Sequence, residues 1–205
     1  MKYFKIGFYI FSFAICISCE LNDDQYPDNN ITGTGPVVSK TLNLQSFDRI
    51  LHHGVADFYI TLGSPQSVVL KTHQNIIDVM TIEVKNNTLV VGLEENTSIE
   101  QADEIRFDIT VAELNDIKLI GVGYFELSGD FQDELVISLV GVGNINAYDL
   151  EVGNCTIVST GVGDCKVLVR DELDVSILGV GSVYYKGEPT ISQNVTGVGQ
   201  LINDN

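Results

Sequence analysis

The chain has 205 residues, enough for one domain with its own core, and 28 acidic against 11 basic residues set its net charge at −17. That balance excludes nucleic acid as a partner, because phosphate binding needs clustered Lys and Arg. No stretch has the roughly 20 consecutive apolar residues of a membrane-spanning helix.

The first segment, Met1 to Ser18, reads MKYFKIGFYIFSFAICIS. Lys2 and Lys5 precede an apolar run from Ile6 to Ile17, and small residues follow, as in a secretory signal. The end of the run, CISC, resembles a bacterial lipobox, in which Cys19 is diacylated and becomes the mature N-terminus; Cys16 stands where a leucine is usual. Cleavage there leaves 9 basic against 28 acidic residues, a net charge of −19. Residues 19–36 are polar, acidic and turn-rich, which predicts a flexible tether. An acidic stretch after a lipid-bearing cysteine resembles the export signal of surface-displayed lipoproteins in the Bacteroidetes, and it fits plain linker chemistry equally well.

Residues 37–205 show no linker and read as one domain. DFYITL (Asp57–Leu62), SVVLKT (Ser67–Thr72) and IRFDITV (Ile105–Val111) alternate apolar and polar residues, the strand period. TIEVKNNTLVVGL predicts a hairpin turning at Asn86–Asn87, a pair tolerant of positive φ, and NIIDVM (Asn75–Met80) predicts one helical turn. HGVADF carries a degenerate Gly-Val-Gly corner at Gly54.

The triplet Gly-Val-Gly then recurs five times, as Gly121/Gly123, Gly141/Gly143, Gly161/Gly163, Gly179/Gly181 and Gly197/Gly199, at steps of 20, 20, 18 and 18 residues. Around each copy the alternate positions are mostly apolar. Ile117, Ile137, Ile157 and Val175 lie four before the first glycine, and Phe125, Ile145, Cys165, Val183 and Leu201 lie four after it. Each unit reads as strand, glycine turn, strand and return loop. One such unit cannot bury its own apolar face, so a fixed period implies a stack. The expected fold is all-β, a right-handed parallel β-helix (β-solenoid) with coils of 18–20 residues; no internal period of six supports the left-handed form. The glycines are expected at structural turns, where positive φ and close approach of neighbouring coils exclude a side chain. A phosphate cradle is excluded because the third glycine of Gly-x-Gly-x-x-Gly is missing from every copy.

These elements resemble the head GIN domain family of auto-transporter adhesins, common as lipoproteins in the Bacteroidetes. The resemblance runs over nearly all the mature chain: FDRI and GVADFYITLG near the start, then the glycine ladder, GVGNINAYDL, and GVGSVYYKGEPTI towards the end. The family's triplets are usually Gly-Ser-Gly or Gly-Ala-Gly, so the uniform valine is a departure. The resemblance implies a right-handed β-helix, no catalytic residues and no cofactor.

Candidate chemistry is sparse. The histidines are His52, His53 and His73, and no Cys or acid stands near the pair at zinc-ligand spacing, so no metal site is expected. Cys155 and Cys165 fall in inward columns on opposite sides of the Gly161 corner. Facing strands lie roughly 10 Å apart and a bridge needs Cα atoms within about 7 Å, which favours buried thiols over a disulfide. Asn144, Asp164 and Ser182 follow successive corners and point outward, as do Tyr124, Tyr148 and Tyr184; together they form the expected ligand surface for a glycan or cell-surface ligand. The sequence thus points to a non-catalytic outer-membrane lipoprotein of the cell envelope, held by an N-terminal lipid and acting in adhesion. The alternatives are a polysaccharide lyase or hydrolase on the same fold, which would cluster acids with Lys or Arg, and a passive envelope protein. Cys19→Ala is expected to release the chain from the membrane fraction; a variant that still sediments with the envelope would refute lipidation.

Overall fold

The computed structural model describes residues 29–205. The signal segment, Cys19 and the first part of the tether lie outside the described residues. The N-terminal half contains β1 (Asn29–Thr32), β2 (Val37–Thr41), β3 (Arg49–His52), β4 (Asp57–Leu62), β5 (Ser67–His73), α1 (Gln74–Ile77), β6 (Met80–Lys85), β7 (Thr88–Leu93), β8 (Thr97–Gln101) and β9 (Arg106–Val111). The C-terminal half contains β10 (Asp116–Leu119), β11 (Val122–Leu139), β12 (Val142–Ser159), β13 (Cys165–Ile177), β14 (Val183–Lys186), β15 (Thr190–Val195) and β16 (Leu201–Asn203). The described residues are all-β apart from the single turn α1. Strand β1 pairs with β8, so the segment expected as a tether contains a strand at its C-terminal end. The other fourteen strands form one mixed sheet.

The repeat governs the C-terminal half. β10 through β16 pair in parallel at the offsets read from the sequence, 20 residues from β11 to β12 (Phe125 opposite Ile145) and 18 from β13 to β15 (Leu173 opposite Ile191). β11 and β12 each run unbroken for 18 residues. In β11, β12 and β13 no loop returns the chain; register shifts such as those at Glu126/Ser128 and Gly129/Phe131 bend the strand instead, whereas residues 187–189 form a return loop between β14 and β15. A bulge turns a strand while keeping most of its ladder bonds, which a loop would forfeit.

In-register pairing piles equivalent side chains into buried columns. Phe58, Phe125, Ile145, Cys165 and Val183 form one, and Ile50, Ile117, Ile137, Ile157 and Val175 face it from the other strands. Phe58 stacks between Phe107 and Phe125, with ring centroids at 4.9 and 4.5 Å. Each such side chain contributes about 1.5–3 kcal/mol by leaving water. The N-terminal half closes this end of the stack. β5 pairs antiparallel with β9 and β2, and the β6–β7 hairpin covers β3, turning at Asn86 and Asn87, whose φ values are 51° and 61°. The expected corner at Gly54 is present: Val122 N–H donates to the Gly54 carbonyl at 2.7 Å.

At the corners the two glycines of a triplet act differently. Positive φ was expected of the corner as a whole. It occurs only at second glycines, with 157° at Gly143, 141° at Gly163 and 135° at Gly181. The first glycine is fixed by close approach alone: a Cβ on Gly161 would fall on the carbonyl oxygen of Gly141. Gly121, Gly141, Gly179 and Gly197 face the carbonyls of Gly54, Gly121, Gly161 and Gly179 in the same way. The Gly141 carbonyl accepts the Val162 N–H at 2.9 Å, so it cannot withdraw without breaking the rung between coils.

Gly123 and Gly199, the second glycines of the first and last triplets, correct the expectation, because neither has positive φ. Gly123 lies inside β11 and stacks on Ala56, a residue without positive φ, whereas every other second glycine stacks on a glycine. Among the described residues no coil stacks on Gly199. In the copies before it the N–H of Gly143, Gly163 and Gly181 donates to the valine carbonyl of the next corner, at 2.9 Å each, and Gly199 lacks that partner to orient its peptide. Both positions still exclude a side chain, since a Cβ would fall on the carbonyl oxygen of Ala56 or of Gly181. The intervening valines bridge one another from Val55 through Val122, Val142, Val162 and Val180 to Val198, and all six are exposed.

Gly161→Val is therefore expected to cost about 3 kcal/mol or more, because backbone rather than a mobile side chain opposes the new atoms. Val162→Ala should stay within about 0.5 kcal/mol, being half in solvent. Thermal melts of the two variants check this; equal melting temperatures would contradict the corner geometry.

Candidate binding face

The residues following the corners form a polar ladder. After three of the triplets, those at Gly121, Gly161 and Gly179, a side chain replaces a backbone carbonyl in the coil-to-coil rung. The Asp164 N–H donates to Asn144 Oδ1 at 2.8 Å, and the Ser182 N–H donates to Asp164 Oδ1 at 2.8 Å. One coil lower, the Tyr124 N–H donates to Asp57 Oδ1 at 3.0 Å. The replacement has a local cause. The Gly143 carbonyl oxygen lies where a Cβ of Gly163 would be, pointing at that residue's Cα, and the next N–H must find an acceptor elsewhere. Asn and Asp at these positions are thus structural rungs as well as outward groups.

Beside the ladder lies a recess of about 200 Å³ lined by Tyr124, Asn144, Ile145, Asn146, Asp164 and Lys166. Three of the six residues expected as a ligand surface meet here. Asn146 and Lys166, which share an outward column with Glu126 and Tyr184, were not singled out as site residues. Membership of that column was the available signal. Asn146 Nδ2 donates to Glu126 Oε1 at 2.9 Å, and the Tyr124 hydroxyl donates to Glu126 Oε2. Tyr148 and Tyr184 flank the recess: the Lys166 ammonium sits 5.8 Å from each ring centroid, and Lys186 sits 4.5 Å from that of Tyr148. The Tyr148 hydroxyl donates to Asp204 Oδ2 at 2.7 Å; burial and then this bond push the phenol's pKa up. Ser182 joins the ladder through its backbone.

A cluster of an acid with Lys and Arg exists on the same face. Asp108 is bridged by Lys71 Nζ and Arg106 Nη2, each at 2.6 Å, and the Arg106 guanidinium lies 3.7 Å above the Tyr59 ring. Burial opposes ionisation of Asp108, but hydrogen bonds from Lys71 and Arg106 outweigh it and hold the carboxyl below its usual range. A carboxylate held this way is a poor proton acceptor, so the cluster reads as an ion-paired brace.

His52, His73, Cys155 and Cys165 are structural. His52 is buried beneath Leu119 in the Leu119–Leu139 column, while His53 is exposed. The His52 Nε2–H donates to the Val122 carbonyl at 3.3 Å, and its Nδ1 has no partner. His73 is also buried; its Nδ1–H donates to Gly35 O at 2.9 Å and its Nε2 accepts the Asp103 N–H at 3.3 Å, which pins the N-terminal segment. Among the described residues, no three His, Cys, Asp or Glu side chains group as metal ligands. Cys155 and Cys165 are buried free thiols; burial pushes Cys155 up to about 12 and Cys165 well above its ordinary value.

The fold and face together define an all-β repeat domain with a polar, aromatic-edged recess on its outward face. A family model described as "Putative auto-transporter adhesin, head GIN domain" matches residues 46–133 and 116–189, and the chain belongs to that family. The family is described as one of adhesins, not of enzymes. The crystal structure of a putative adhesin from Bacteroides fragilis NCTC 9343 is 22% identical, with a TM-score of 0.54 over 84% of this chain and 99% of its own; the two share the fold. A putative adhesin from Parabacteroides merdae ATCC 43184 and a putative lipid binding protein from Parabacteroides distasonis ATCC 8503 are each 18% identical, with TM-scores of 0.47 over 85% of this chain and 100% of theirs. No curated protein matches the chain.

Burial lowers the His52 pKa from 6.5 to about 4, although the bond to Val122 opposes the shift. The unfolded imidazole takes up its proton near pH 6.5 and the folded one only near pH 4. Stability is therefore full above pH 6.5 and falls as pH drops through that window, by roughly 3 kcal/mol at about 1.4 kcal/mol per unit. His52→Leu, which continues the leucine column, should flatten this part of the profile. Urea melts between pH 7 and pH 4 measure it, and an unchanged slope would show that other groups dominate.

Proposed function

We propose that the chain is a lipid-anchored protein of the outer membrane that adheres through a glycan held on the Tyr124–Lys166 face. The observation that carries this reading is the recess itself. It brings an aromatic ring, two amides, a carboxylate and an ammonium to one shallow outward site. Sugar rings pack an apolar face on aromatic side chains, and their hydroxyls accept bonds from amide N–H groups and donate to carboxylates. Asn144 and Asp164 each spend one oxygen on the ladder and have a second polar atom to offer a ligand. The repeat is read as a right-handed β-solenoid with coils of 18–20 residues; the parallel offsets of 20 and 18 support it. In such a stack the face extends over several coils, with Tyr148 and Tyr184 as further stacking platforms. The lipid at Cys19 and the acidic residues after it would hold this face away from an anionic membrane surface.

A glycan array probed with the purified chain tests the reading. Tyr124→Ala and Lys166→Ala should each weaken retention by about tenfold, and together abolish it, with melting temperatures little changed. Asn144→Ala and Asp164→Ala should lower stability as well as binding. An array without any retained glycan would refute the proposal. So would turnover of a polysaccharide that one carboxylate substitution stops, because loss of a single catalytic group costs orders of magnitude in rate.

A further inference from the structure

The two ends of the stack are built differently. At the N-terminal end the outermost strands are β2 and β6, both antiparallel to their neighbours and carrying Lys40, Glu83 and Lys85. Charged side chains of this kind keep an open edge from pairing with another chain. At the C-terminal end the last coil consists of β15 and β16. Among the described residues β15 pairs only with β13, and β16 only with β14, so the outer edge of each is a row of unpaired backbone groups. Within the strands nothing guards it: from Thr190 to Asn203 there is no Lys, Arg, Asp, Glu, His or Pro, and the flanking Glu188, Pro189 and Asp204 stand beyond the strand ends.

The same coil leaves its inward column uncovered. Ile191 and Val195 continue the column of Leu173 and Ile177 in register. Leu173 and Ile177 are 1% and 0% exposed, whereas Ile191 and Val195 are 38% and 39% exposed. The difference is what one more layer of strands would bury. We infer that the last coil is a docking surface for a second copy of this chain, joined end to end across a two-fold axis.

Three features select that occupant. The open edge needs strands, since only backbone can satisfy a row of ladder groups. It needs two of them on facing sheets, roughly 10 Å apart. A second copy's last coil presents such a pair at the same spacing, whereas a lone extended peptide covers one strand and leaves the other open. Finally, two acidic chains repel each other over most of their surfaces, and strands β15 and β16, which carry no charged side chain, are where that repulsion is weakest. A two-fold axis reverses strand direction, so the ladder across the joint is antiparallel. Because the opposite end carries its charged edge strands, the pair closes and does not grow into a fibre.

Sedimentation equilibrium of the purified full chain over the micromolar range provides the test. The expected result is a monomer–dimer equilibrium that salt strengthens by screening the remaining charge. Ile191→Lys should weaken it by about tenfold or more, as expected for a charge placed at the centre of an apolar joint, while Val142→Lys on the exposed valine column should leave it unchanged. Hydrogen exchange on the unaltered chain gives a readout that no misfolded variant can mimic. Amides of Thr190–Val195 and Leu201–Asn203 should become more protected as concentration rises. A chain that stays monomeric with those amides unprotected overturns the inference. So does association that Val142→Lys abolishes and Ile191→Lys spares, or that continues past the dimer.

Discussion

The stacking of one corner directly on the next is the constraint from which the rest of the molecule follows. The carbonyl oxygen of each corner glycine occupies the space in which the glycine one coil later would carry a Cβ. Any side chain there would drive the two coils apart and break the rung that Val162 and Val180 make to the glycine carbonyls beneath them. Because the rungs on both flanking strands share that register, losing one corner would misalign two ladders. The glycines thus fix how far each coil sits from the last, and that distance sets every column in the core.

Columns leave little freedom in what may occupy them. Phe58, Phe107 and Phe125 stack face to face because parallel strands in register bring equal positions together. His52 and Ser159 stand in a column otherwise made of leucine, isoleucine and valine, and both leave a buried polar atom without a partner among the described residues. An unpaired buried group of this sort costs roughly 1–3 kcal/mol, which the packed aliphatic neighbours must offset. In His52 that cost also becomes a dependence on pH, since the buried ring resists a proton that the unfolded chain accepts.

On the outside, the same corner geometry makes polar residues do two things. Gly163 turns its backbone so that the following N–H cannot reach a carbonyl, and Asn144 supplies the oxygen. The ladder of Asp57, Asn144 and Asp164 is therefore partly scaffold, and the recess beside it inherits a fixed shape from the stack. Pre-organisation of this kind lowers the entropy lost when a ligand binds. The acids and bases of this face are spread along coils or, at Asp108, neutralised by Lys71 and Arg106.

The sequence alone determined the period, the inward and outward sides of each strand, the hairpin at Asn86–Asn87 and the corner at Gly54. Each of these is a local pattern that repeats, and repetition makes the pairing partner of a residue the one 20 or 18 positions away. It also placed Tyr124, Asn144 and Asp164 on a common outward face. Only the tertiary structure decided which glycine of a triplet takes positive φ, since that depends on what the neighbouring coils present. Gly123 and Gly199 look like the other second glycines in sequence, yet one rests on Ala56 and the other ends the stack, and neither takes it. The unbroken strands β11 and β12 were hidden for a similar reason: a bend made by bulges looks like a loop in an apolar–polar pattern. The recess needed Asn146 and Lys166, whose neighbours in space come from other coils, and the open edge of β15 and β16 is visible only once the pairing of every strand is known.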